Sequence, residues 1–473
     1  MTDLLAAGPF LNWEHMTGQS KFLVDLISVP IFSAIAGLIT NWTGVIMLFA
    51  PVRFTGFYVP GLKRLFPFLP RKVQILPLFA PDGILGFQGF VPCRAEKMAS
   101  LIVDTSISRI GRIRDFYREL NPDELSESIA TAARPDVRRL ATEIIQKQHP
   151  QLWRTLPAPM KDELLRTVDA ELPAISKRAF DKIGENIDQL LSVKLMTVKF
   201  LSRNPDVLRN IIQGMAMPEL RLMVRTGALG FPFGILLALM LSFIHYSGSE
   251  RQKHGGHGGF FIELPAFMSS FLHFFPSWLL VLTGAAIIGV VVNIIAIKVV
   301  FEPGVPQPRY KYLWKQGRFP KRQYEASADL AAMLSVEVLN VKNFAHELLN
   351  GASADKTRAI IEEAVAEEID RILGPFIIVA RNSFGLVDVE GLQRQASATL
   401  VEFAPSVLYE PDFNKAQAKR IEKFATEKFR ALPPDKFGEM LYSAIEQDAW
   451  LLYVHGALLG LVVGAVHILI FGA

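Results

Sequence analysis

One cysteine, Cys93, among 473 residues leaves no partner for an intrachain disulfide and no thiolate set for a metal. Charge is also scarce. Asp, Glu, Lys and Arg make up 20% of the chain and hydrophobic residues 50%, a balance that leans towards a membrane protein. The formal charge of +4 is small and no basic run is interleaved with aromatics, so nucleic acid is not an expected partner. Residues 1–25 carry Asp3, Glu14 and Asp25 and lack a basic start before an apolar core. They do not read as a secretory signal, and the first apolar segment is expected to be an uncleaved anchor. Period-two alternation is rare, which predicts little sheet. No Ser/His/Asp order, phosphate-cradling glycine loop or paired-carboxylate motif stands out, so neither an enzyme nor a cofactor is expected.

Long apolar runs are what the chain has instead. Four fit the length needed to cross a bilayer, at about 26–50, 229–246, 278–301 and 451–471. Between them, 51–225 and 303–449 read as amphipathic helices. Asn121-Pro122 and Asn204-Pro205 supply a cap and a first-turn proline, and Ser353-Ala-Asp355 opens a helix with Ile361, Val365 and Ile369 at helical spacing. The stretch Phe54–Val91 holds Pro60, Pro67, Pro70, Pro77 and Pro81 among apolar residues, so no continuous helix can run through it. It is expected to lie in the headgroup region or beneath the spans. Phe260–Phe275 has its aromatics at helical spacing, which suits an interfacial helix or a cover for the span ends.

The halves repeat each other. Asn41-Trp-Thr-Gly-Val-Ile-Met-Leu-Phe49-Ala-Pro51 matches Asn293-Ile-Ile-Ala-Ile-Lys298-Val-Val-Phe301-Glu-Pro303 at a shift of 252 (293 − 41). Gln88-Gly89-Phe-Val-Pro92-Cys-Arg94 matches Gln316-Gly317-Arg-Phe-Pro320-Lys-Arg322 at 228 (316 − 88), and Gly227-Ala-Leu matches Gly456-Ala-Leu at 229 (456 − 227). The order is the same in both, which predicts an all-α membrane protein of two tandem copies. Repeat 1 is 1–246, an outer loop is 247–277, and repeat 2 is 278–473. Two spans per copy make the repeats parallel, with both helical regions on one side of the membrane. Arg53, Lys63, Arg64, Arg71, Lys72, Arg221, Arg225, Arg309, Lys311, Lys315, Arg318, Lys321 and Arg322 flank that side, against Lys21, Arg251 and Lys253 on the other. The positive-inside rule makes it cytoplasmic.

These spaced motifs, in both copies and over nearly the whole chain, resemble the bacterial membrane-protein family catalogued as domain of unknown function 445. The resemblance implies a helical protein of the bacterial plasma (inner) membrane and brings no reaction, substrate or catalytic residue. Members tend to have a basic residue where Lys298 stands. The first copy has Ile46 there, so any role for that charge belongs to one repeat.

Asn41 and Asn293 lie inside spans, where an unpaired amide is costly. They form either a polar line for an ion or headgroup or, as that cost favours, glue between spans one and three, which would pack face to face. Lys298 is within a turn of the span end, and its stem is expected to snorkel. Gly456, Gly460 and Gly464, and Gly230 with Gly234, are spaced for close helix packing. The motifs Gln88, Gly89, Pro92, Arg94 and Gln316, Gly317, Pro320, Arg322 are expected as matching turns at the cytoplasmic membrane surface, glycine permitting the bend and proline starting the next helix. Each arginine would meet either anionic headgroups or an acid of its own domain. His254-Gly-Gly-His257 suits a flexible linker better than a two-ligand metal site. Cys93 has Lys321 at its sister position, which argues against a shared catalytic thiol.

The function these readings point to is non-enzymatic: anchoring a helical scaffold for an unknown protein partner at the cytoplasmic face. The alternative is lipid transfer or small-solute transport, with an apolar groove opening at the proline-rich segment. Membrane lipid, anionic in particular, is an expected partner. Conduction through so few spans would need a homo-oligomer.

Overall fold

The structure is a computed structural model that describes residues 21–68, 78–80, 83–104, 112–249, 277–308, 313–384, 388–446 and 449–472. Its main helices, in chain order, are α1 (Lys21–Phe49), the short turn α2 (Phe90–Cys93), α3 (Pro122–Gln148) and α4 (Ala158–Leu190). There follow α5 (Pro205–Thr226), α6 (Gly230–Ser249), α7 (Ser277–Phe301), the short turn α8 (Arg318–Lys321) and α9 (Val341–Asn350). The last are α10 (Ala354–Phe384), α11 (Val389–Leu408), α12 (Pro434–Glu446) and α13 (Ala449–Phe471). Four segments are long and apolar enough to cross a membrane: Leu23–Phe49, Pro205–Leu241, Trp278–Phe301 and Ala449–Phe471. The second starts upstream of its expected position, because α5 runs into α6 through a 3-10 turn at Gly227–Leu229.

The proline-rich stretch is where the sequence reading fell short. It contains a three-stranded antiparallel sheet of β1 (Thr55–Tyr58), β2 (Phe79–Ala80) and β3 (Ile84–Phe87), in the order β1-β3-β2. Gly56 faces Gly86 and Tyr58 faces Ile84, while Phe79 pairs with Leu85 on the other edge. Prolines limit helix here to single turns at Leu62–Leu65 and Phe66–Phe68, and strands of two to four residues are too short to declare themselves by alternation. Phe57 and Tyr58 are exposed.

Two compact units emerge. Unit 1 takes 1–94, 212–323 and 434–473; unit 2 takes 95–211 and 324–433. Residues of both sequence halves enter both units. In unit 1, α1 packs with α6 and α13, and α7 packs with α13. Their shared interior includes Val29, Ala238, Val292 and Ile468. The outward positions are just as apolar: Ile31, Ile35, Leu236, Ile287, Leu458 and Val462 are exposed. Helices that are hydrophobic all round need an apolar solvent or a partner on every side.

Unit 2 follows the opposite rule. On α4, Leu172, Ser176, Ala179, Ile183 and Ile187 recur at helical spacing and are buried, while Arg166, Lys177 and Arg178 face water. α3 packs along α4, and α10 and α11 complete the layer. Two caps use side chains as the chemistry requires: Asn340 Oδ1 accepts from the Asn343 N–H at 2.9 Å and Asp388 Oδ1 from the Gly391 N–H at 2.9 Å.

Candidate functional site

Asn41 and Asn293, in the long apolar helices, are both buried, and each ties two helices of unit 1 together. Asn41 Nδ2 donates to the Met223 carbonyl at 2.7 Å and to Thr226 Oγ1 at 3.3 Å. Asn293 Nδ2 donates to the Leu452 carbonyl. Beside each bond the backbones nearly touch. A Cβ at Gly227 would overlap the Gly37 carbonyl, and one at Gly456 would overlap the Gly289 carbonyl. The residues correspond by constant shifts, 252 for Asn41/Asn293 and Gly37/Gly289, and 229 for Met223/Leu452 and Gly227/Gly456.

The asparagines therefore do not bond to each other. α1 and α7 do touch, but each amide reaches a carbonyl on the other span of its own half, where glycine lets the helices come close. Other glycines of these helices also lie against a neighbouring helix. Gly230 and Gly234 meet Ser33 and Pro30 of α1, and Gly460 and Gly464 meet Ala285 of α7.

Two polar residues of the spans escaped the sequence reading. His467 is buried, with Nε2 2.9 Å from Ser28 Oγ and its ring edge-on to Phe32. His455 Nε2 lies 2.8 Å from Thr43 Oγ1. The same Thr43 hydroxyl lies 2.7 Å from the Ile39 carbonyl one turn back. Both histidines sit on α13 and both bind α1. A histidine inside an apolar run was the available signal.

The two Gln-Gly motifs clasp the ends of α1 and α7. Gln88 Nε2 donates to the Val52 carbonyl at 2.8 Å and the Gly89 N–H to Pro51 at 2.8 Å. Gln316 Nε2 donates to Gly304 at 2.9 Å and the Gly317 N–H to Pro303 at 2.9 Å. The peptides preceding Pro51 and Pro303 are both cis. Gly89 and Gly317 have φ near −56° and −57°, which any residue can adopt. Close approach is what demands glycine, since a Cβ would strike the backbone of Phe49–Ala50 or Phe301–Glu302. Pro92 and Pro320 are the third residues of α2 and α8 and do not begin a following helix.

Arg322, of the second repeat, bonds an acid of the first, within unit 1. Its Nε and Nη2 lie 2.8 and 3.1 Å from the Glu219 carboxylate, and Nη2 also reaches the Met215 carbonyl. Glu219 is 3% exposed, which makes this a buried ion pair. Arg94 and Cys93 are half-buried. Lys298 is half-exposed and its Nζ lies 3.8 Å from the Glu302 carboxylate one turn on. His254, His257 and Phe260–Phe275 lie outside the described residues. Among the described residues no group of three or more His, Cys, Asp or Glu is placed to hold a metal.

Unit 2 contains a cavity of about 80 Å³ between α3, α4, α9, α10 and α11. Ile129, Ile183, Ile187, Phe344 and Val401 are typical of its wall. None of its lining residues comes from the proline-rich segment, so the expected opening there is not a feature of this cavity. Tyr117 lines it with the hydroxyl turned to the Phe180 carbonyl at 2.7 Å. Burial, followed by the charges of Asp181 and Asp123, pushes that phenol far above its usual range. The chain matches no protein-family model, no curated protein and no solved structure.

Proposed function

We propose that the chain is a tandem-repeat membrane anchor, similar to the bacterial family catalogued as domain of unknown function 445, that holds a helical binding unit at the cytoplasmic face of the inner membrane. Its work is non-enzymatic: unit 2 offers long charged helices to a protein partner. The observation that carries this reading is the doubled geometry of unit 1. Amide-to-carbonyl bond, glycine-to-glycine contact and Gln-Gly clasp each occur twice, in corresponding places. The outward apolar residues of the spans favour lipid around them, and exposed Phe57 and Tyr58 favour an interfacial sheet. The basic residues beside the spans favour the cytoplasmic side.

The test is labelling in intact cells. Cys93 is replaced by Ala, and single cysteines are introduced at Ser353, in a helical region, and at Ser249, the last residue of α6. An impermeant maleimide should label Ser249→Cys and leave Ser353→Cys untouched until the cells are opened. Labelling of Ser353→Cys in intact cells reverses the topology. The lipid-transfer reading has one observation in its favour, the apolar cavity of unit 2.

A further inference from the structure

We propose that the cavity of unit 2 binds the single alkyl chain of an uncharged lipid, whose hydroxyl or ester oxygen meets Ser176. This goes beyond the anchoring reading and does not depend on the orientation of unit 1. The first support is shape. On α4 the lining runs from Ser176 to Ile187 and on to Leu191 just past the helix end, about 22 Å at 1.5 Å per residue. The space left between these side chains, about 80 Å³, is too small for a ring system or for two chains side by side, so an occupant has to be one slender chain.

The second support is chemistry. The wall is apolar, so water inside would lack the two to four polar partners it needs. Of the hydroxyls on the wall, Tyr117 is committed to Phe180 and Thr357 to the Ser353 carbonyl at 3.1 Å. Ser176 is different: 1% exposed, with no hydrogen-bond partner for its Oγ. A helical serine commonly returns its proton to a carbonyl one turn back, and this one does not. A buried hydroxyl without a partner is costly and is relieved by a ligand oxygen. No Lys, Arg or His lines the cavity, so a carboxylate or phosphate drawn inside would go unneutralised. The head must be neutral.

The experiment uses the full chain in lipid nanodiscs and two photoreactive probes, a diazirine-bearing hexadecanol and the same chain ended by a sulfonate. Labelled peptides are mapped by mass spectrometry. The alcohol should label peptides of α4 and α9 at least five-fold more than the sulfonate does, and unlabelled hexadecanol should compete. Ala179→Phe fills the cavity and should cut that labelling at least five-fold. Ser176→Ala is near-isosteric and safe for folding, and should bring the alcohol down to the level of the sulfonate. Label confined to the spanning helices overturns the site. So does label on α4 that survives Ala179→Phe in a protein with unchanged helix content. Equal labelling by alcohol and sulfonate overturns the neutral head, and a Ser176→Ala variant that labels like the parent overturns the role of Ser176.

Discussion

Unit 1 and unit 2 are both helical, yet they are held together by different means. In unit 1 the contacts that matter are backbone to backbone, at Gly37/Gly227 and Gly289/Gly456, with an asparagine bond beside each. In unit 2 they are side chain to side chain, an apolar stripe inside and ion pairs such as Arg178–Glu367 outside. The difference fits the surroundings proposed for each unit, lipid around unit 1 and water around unit 2. Where the exterior is as apolar as the interior, burying more leucine gains little, and close packing with internal hydrogen bonds remains. Where water is outside, burial supplies the drive and charge the solubility.

The comparison breaks most easily at the glycines. Gly227→Leu and Gly456→Leu should each prevent folding or cost more than about 4 kcal/mol, because backbone atoms stand where the side chain must go. The yield of monodisperse protein after extraction measures this. On α4 in unit 2, Ala179→Leu should leave the yield unchanged, since the cavity can take the extra carbons. Equal losses in both would dissolve the contrast.

The Arg322–Glu219 pair is next, and is the exception within unit 1. Arg322→Gln leaves a buried carboxylate unpaired and should cost about 3 kcal/mol, seen as a lower melting temperature. The double variant Arg322→Leu, Glu219→Leu should recover most of that loss. If Arg322→Gln instead leaves melting untouched and weakens binding of anionic vesicles, the arginine serves headgroups.

The asparagines set the two halves of unit 1 against each other. Asn41→Ala and Asn293→Ala should each lower stability by about 1 kcal/mol in thermal melts, as single interhelical bonds in membranes do. Asn41 has a second acceptor in Thr226, whereas Asn293 donates to the Leu452 carbonyl, so Thr226→Ala should bring the Asn41 site towards the other. A loss at one site alone would show that sequence correspondence has not preserved the bond.

Much of this was legible. The spans declare themselves by length and composition, and the fixed shifts of Asn41/Asn293 and Gln88/Gln316 mark out the polar contacts in the sequence itself. What those residues bond to was not legible. The pairing of Asn41 with Met223 depends on a main-chain carbonyl, which has no sequence signature, and on the approach that Gly227 permits. The sheet stayed hidden because its strands are too short to alternate. His455 and His467 stood in plain view in an apolar run, and their partners Thr43 and Ser28 look like ordinary small residues of α1. Ser176 likewise interrupts the stripe of α4, but only the cavity gives that interruption a meaning.

The smallest expected effect is on the outside of unit 2. Hydrogen bonds first from Lys182 and then from Arg178 hold the Glu367 carboxyl below its ordinary value of 4.5. A depressed carboxylate stabilises the fold fully above its unfolded value, and the gain is lost as pH falls through the folded value. The parent protein should therefore begin to lose this contribution below about pH 4.5. Glu367 lies in water, where screening and side-chain entropy leave an ion pair little net worth, so the change in melting temperature will be slight. Glu367→Gln removes it. The difference between parent and variant should be largest near neutral pH, shrink as pH falls below that value, and shrink also with added salt. The Arg322–Glu219 pair is shielded from solvent and should respond far less to salt. An equal salt response in both would mean that the buried pair is reached by water after all.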